Sequence, residues 1–238
     1  MKLTARATRR SLFVTILSLS FLAAATFAGP PLICHFFDIG DAKSLPWISH
    51  DWNLGGGENY DTSKLTADTI AILDSSQVTL VHMETLRRAT LYARKDPIAA
   101  KQLITQLVAR AGATKSSASS TSTAQPDALA VFDAGYLAEA YKQWLGAENN
   151  PAQHFDGYAL VQLALQRRGN DPQMDFAAAL IAVSYPSIKA QDHAEKAIAG
   201  AKNDPLLARN LSARFLGAQS ETLSAMISHN KTAKMVKE

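Results

Sequence analysis

Cysteine is nearly missing from this sequence: Cys34 is the only one in 238 residues, so no disulfide can form within the chain. Stability has to come from packing, which a hydrophobic content of 47% can support. Signature motifs of chemistry are missing as well. No Gly-x-Ser-x-Gly offers a hydrolase nucleophile, and Gly55-Gly56-Gly57 is followed by no Gly-Lys-Ser/Thr, which excludes a phosphate loop. An excess of charge is missing once the N-terminus is set aside. The chain has 24 basic and 21 acidic residues, but Lys2, Arg6, Arg9 and Arg10 fall in the first 28, where there is no acid. Without those four, 20 basic residues face 21 acidic ones, leaving no basic footprint for nucleic acid or an anionic membrane.

What is present begins with an export pattern. A positive start is followed by an uncharged stretch from Ser11 to Ala28 with Leu12, Phe13, Val14, Ile16, Leu17, Leu19, Phe21 and Leu22. Thr26-Phe27-Ala28 then supplies small residues where a signal peptidase cuts, so residues 1–28 are expected to be a cleaved signal peptide. Serines and threonines interrupt the stretch, and it barely reaches the ~18 apolar residues of a span. No stable membrane span is expected after cleavage; an uncleaved anchor is the lesser alternative. The product is expected in the periplasm or secreted.

Residues 29–60 differ from everything after them. They hold Pro30, Pro31, Pro46, three successive glycines and five aromatics, Phe36, Phe37, Trp47, Trp52 and Tyr60, with no sustained helical or strand period. This composition predicts an irregular aromatic-rich arm that packs onto something, with those aromatics as packing or interaction anchors. N-terminal helices are expected over 61–112, a Ser/Thr/Ala-rich linker over 113–126, and C-terminal helical hairpins over 127–238. Asp74 and Gln77 have capping-box spacing ahead of a helix at about 76–94. Leu129, Phe132, Tyr136, Leu137, Ala140, Tyr141 and Trp144 form the strongest helical face. Further helices are expected at about 153–168, 172–183, 189–201, 205–216 and 220–230.

The joints recur. Lys95-Asp96-Pro97, Asn170-Asp171-Pro172 and Asn203-Asp204-Pro205 each separate two apolar-periodic stretches. Asp supplies an N-cap acceptor, and proline suits the first helical position because its missing N–H would be unpaired there anyway. Pro172 and Pro205 are 33 residues apart, near the period of a helix-turn-helix solenoid. On these joints the region 66–230 resembles tetratricopeptide-like repeats. The resemblance implies an all-α fold of stacked helical hairpins and a concave surface for a protein or peptide partner.

Reactive side chains concentrate in the arm. His35, Asp38, His50 and Asp51 are of types that ligate metals, though their spacing matches no metal motif; a polar loop is the simpler reading. Cys34 is read as a small packed hydrophobe, with a lipid anchor or an intermolecular disulfide as alternatives. His82 is expected in or beside the core. His193 is expected to cap a helix end, and the pairs Arg87-Arg88 and Arg167-Arg168 to be solvated helix ends, with a groove for an acidic peptide or a carboxyl terminus as the alternative. The reading is an exported, non-catalytic helical-repeat protein that needs no cofactor and binds a protein or peptide at the cell envelope. The alternative is a metal-binding protein or metalloenzyme that uses the His and Asp residues of the 29–60 arm.

Overall fold

The computed structural model describes residues 31–47, 59–116, 127–169, 171–185 and 190–215, and all regular structure among them is helical. Eight α-helices follow one another there: α1 Leu65–Asp74, α2 Thr79–Ala93, α3 Pro97–Ser116, α4 Ala128–Trp144, α5 Gly157–Arg168, α6 Pro172–Ala182, α7 Ala190–Gly200 and α8 Pro205–Phe215. The expected signal peptide over 1–28, Trp52, most of the linker, and the helix expected at 220–230 lie outside the described residues. No described helix is long and apolar enough to cross a membrane.

The three Asp-Pro joints start α3, α6 and α8, and each aspartate works twice. Asp96 Oδ1 accepts from the Ile98 and Ala99 amides, Asp171 Oδ1 from Gln173 and Met174, and Asp204 Oδ1 from Leu207. The second oxygen ties that helix start to another one. Asp96 Oδ2 accepts from the Thr62 hydroxyl ahead of α1, Asp171 Oδ2 from Thr79 at the start of α2, and Asp204 Oδ2 from Gln173 at the start of α6. Gln173 Oε1 in turn accepts from the Leu80 amide at 2.9 Å. The N-termini of α2, α6 and α8 are thereby stitched along one edge.

Two expectations change here. The helix α2 starts at Thr79 with Val78 as its N-cap, so Asp74 and Gln77 make no capping box; Asp74 closes α1 and pairs with Arg110 of α3. Residues 113–116 belong to α3, where Ala113 and Lys115 are good helix formers ahead of the Ser/Thr repeats.

At the centre lies α4, packed by α2, α3, α5 and α6. Every residue of α4 from Leu129 to Tyr141 is buried, as is nearly all of α2 and α6 from Met174 onward. A helix enclosed on all sides belongs to a core rather than a surface stripe. One hydrophobic cluster runs from Leu32 through Leu86, Leu137 and Phe176 to Leu211, so the regions before and after 113–126 share it. The crossing of α4 and α5 is close because both partners lack a side chain: a Cβ at Gly135 would stand 2.6 Å from the Gly157 carbonyl oxygen.

Candidate functional site

Residues 31–47 contain no helix or strand, yet Leu32, Ile33, Phe37 and Leu45 are fully buried. Apolar side chains alone do not hold an irregular segment; its main-chain groups also need partners. Side chains of the helices supply them. Arg87 Nε donates to the Ile33 carbonyl at 2.8 Å, and Arg88 Nη1 donates to that of Leu45. The Phe37 amide donates to Glu84 Oε2 at 2.8 Å and the Leu32 amide to Gln143 Oε1 at 2.9 Å. Asn210 of α8 takes both backbone polar groups of one residue: its Oδ1 accepts from the Asp38 amide at 2.9 Å, and its Nδ2 donates to the Asp38 carbonyl at 2.8 Å. Phe37 meets Phe176 of α6 edge-on at 6.0 Å between ring centroids. A face made by α2, α6 and α8, with Gln143 at the end of α4, thus grips a segment chiefly through its backbone.

Arg87 and Arg88 are therefore not solvated helix ends. Arg87 is 1% exposed, and both guanidiniums bond Glu84 Oε1, at 3.1 and 2.7 Å. Their i,i+3 and i,i+4 spacing to Glu84 was visible in the sequence, but a segment some fifty residues upstream that covers them was not.

Among the arm's aromatics, Trp47 and Tyr60 both pack on Tyr92, at 5.6 and 4.3 Å between ring centroids. Phe36 is 45% exposed and lines a cleft of about 220 Å³ with Cys34, His35, Asp38, Arg209 and Asn210. The Asp38 carboxylate in this cleft accepts from Arg209 Nε at 2.6 Å, and that bond holds its pKa below the usual range despite partial burial. A cation thus already faces the carboxylate that the metal alternative would use. His50 and Asp51 lie outside the described residues. Among the described residues no three His, Cys, Asp or Glu side chains gather as a metal-holding group.

Two histidine centres lie deeper. His82 Nδ1 sits 2.7 Å from Asp133 Oδ1 and Nε2 sits 3.0 Å from the Ser76 carbonyl, within the core as expected. Both ring nitrogens face acceptors, an arrangement that suits the doubly protonated ring. Burial pulls the His82 pKa down, but the Asp133 charge and the two hydrogen bonds push it further up, and the net shift is upward.

His193 does not cap a helix. Its Nδ1 lies 2.8 Å from Asp175 Oδ1 and its Nε2 lies 2.9 Å from the Tyr158 hydroxyl, so it ties α7 to α6 and α5. Beside it Tyr185 donates to Glu139 Oε2 at 2.6 Å, and Lys142 Nζ approaches Glu139 Oε1 at 2.8 Å. Asp175, His193 and Tyr158 have the order of a proton relay. Burial, however, raises the Tyr158 pKa, which keeps the hydroxyl protonated, the opposite of what a nucleophile needs. No sequence spacing links these residues, which come from three helices.

A second concavity, of about 170 Å³, opens between α3, α4 and α5. Val108, Ala111, Val131, Ala134, Leu160 and Leu163 wall it, and among the described residues Arg167 is the one charged side chain that lines it. The two arginines of that pair part ways. Arg168 bonds the Gln77 carbonyl and Asp171, whereas Arg167 Nη1 is buried without a hydrogen-bond partner.

No family model, no curated protein and no solved structure matches the chain.

Proposed function

We propose that the protein is an exported, non-catalytic scaffold of tetratricopeptide-like helical hairpins that binds another protein at the cell envelope, in the periplasm or outside the cell. The observation that carries this reading is that side chains of α2 and α8 hold residues 31–47 through their main-chain amides and carbonyls, with Phe176 of α6 packed on Phe37. Backbone-directed contacts from helix side chains are a sequence-tolerant way to grip an extended chain, and stacked helical hairpins offer long surfaces for it. The aligned starts of α2, α6 and α8 support the stacked arrangement. Here the chain's own segment fills part of the face. Phe36 beside it, and Ile98 at the start of α3, remain exposed as large apolar side chains for a partner to cover.

The test is photo-crosslinking in intact cells, with a photoreactive phenylalanine analogue at Phe36 or Ile98. The reading predicts a discrete protein adduct, recovered with the envelope fraction. A folded, correctly exported protein that gives no adduct from either position would contradict it.

A further inference from the structure

We infer that the groove between α3, α4 and α5 is a binding site for an aliphatic monocarboxylate, with the Arg167 guanidinium as the partner of the carboxylate. Arginine stays charged at any physiological pH, so a buried Nη1 without an acceptor is a standing demand for an anion. Arg110 of α3 is already committed to Asp74. Arg167 therefore provides the free cationic end of the site.

The walls select the rest of the ligand. They are the aliphatic side chains of Val108, Val131, Leu160 and Leu163, projecting from helices whose own backbone bonds run within each helix. A peptide laid there would bring amides that find no partner, and burying them is unfavourable. An unbranched acyl chain carries its polar group at one end, and among the described lining residues Arg167 is the charged one. At about 170 Å³ the groove is smaller than the roughly 300–1,000 Å³ of sites for drug-sized ligands, which points to a short chain. The chain's own continuation from α3 is a poor occupant: residues 117–126, SASSTSTAQP, contain no acid and no aliphatic side chain beyond alanine and proline.

The groove is separate from the face that holds residues 31–47, so failure here leaves the protein-binding reading standing. The test is calorimetric titration of the full mature protein with octanoate, octanol and octylamine. Octanoate is expected to bind at least tenfold tighter than octanol, and octylamine not at all. Arg167→Gln is expected to weaken octanoate at least tenfold while leaving octanol unchanged. Arg167→Lys, which keeps the charge, should restore part of the loss. The proposal is overturned if octanoate fails to bind, if acid and alcohol bind equally, or if both Arg167 variants bind octanoate like the wild type. It is also overturned if a peptide with a free C-terminal leucine binds tighter than octanoate and its amide does not. A dimer that Arg167→Gln dissociates would overturn it too, by giving the groove to a second copy.

Discussion

Glu84 and Arg87, one turn apart on α2, form an ion pair at 3.1 Å in which neither side chain is more than 1% exposed. Each also holds the backbone of the segment above it, Glu84 through the Phe37 amide and Arg87 through the Ile33 carbonyl. Burial pulls the Arg87 pKa down and the Glu84 charge opposes that pull. Breaking such a pair from one side leaves a buried charge uncompensated, at a cost of about 3–5 kcal/mol. Glu84→Gln is therefore expected to lower unfolding stability by that order in urea titration. Glu84→Gln combined with Arg87→Met is expected to cost less than the two single changes added together. Strict additivity would show that the pair does not act as a unit.

The His82–Asp133 contact predicts a pH dependence of definite sign. The folded pKa of His82 is raised above the unfolded value of about 6.5. Its contribution is then fully present below that value and is lost as pH rises through the folded pKa. Stability measured by denaturant should fall as pH rises above about 6.5, and His82→Gln should flatten that part of the curve. A wild-type curve that rises over the same window would show that the ring is neutral in the fold.

Glycine substitutions should divide by position. Gly135→Ala forces a methyl group to 2.6 Å from the Gly157 carbonyl oxygen and 2.8 Å from the Leu160 Cβ, both at a packed crossing. Overpacking of this kind costs about 1–3 kcal/mol. At Gly112 in α3 an added Cβ meets nothing within 4 Å, so Gly112→Ala should stabilise by about 0.5–1 kcal/mol through helix propensity. Melting temperatures of the two variants should move in opposite directions; a shared direction would contradict the assigned crossing.

Asp171→Ala removes two N-cap bonds to α6 and the acceptor of the Thr79 hydroxyl at the start of α2. An N-cap alone contributes about 0.5–2 kcal/mol, and a loss at or above the top of that range is expected in chemical denaturation. Asp171→Asn, which keeps one side-chain oxygen for the cap, should retain part of it. A loss below about 0.5 kcal/mol would mean that the joint does not fasten the two helices together.

The Asp-Pro joints translated directly into structure, whereas the capping-box spacing of Asp74 and Gln77 did not. An aspartate before a proline places a cap acceptor and a fixed φ side by side, so the starts of α3, α6 and α8 are readable from three residues each. His82 was legible because its neighbours on α2 are apolar. What could not be read was tertiary. The spacing of Arg87 and Arg88 fits a solvated helix end as well as a buried one, and only the segment over them decides between the two. His193 looks like an ordinary first-turn polar residue until α6 and α5 bring Asp175 and Tyr158 to it. Arg167 and Arg168 are adjacent in sequence but about 100° apart around α5, so one faces Asp171 and the other the groove.

The central claim is that a helical face holds residues 31–47 through their backbone, and amide hydrogen exchange at Leu32, Phe37 and Asp38 tests it most directly. These three N–H groups donate to Gln143, Glu84 and Asn210. The account predicts that they exchange only when the whole molecule unfolds, with the same free energy as amides at the centre of α4. Exchange at the rate of an open loop, while α4 stays protected, would contradict it.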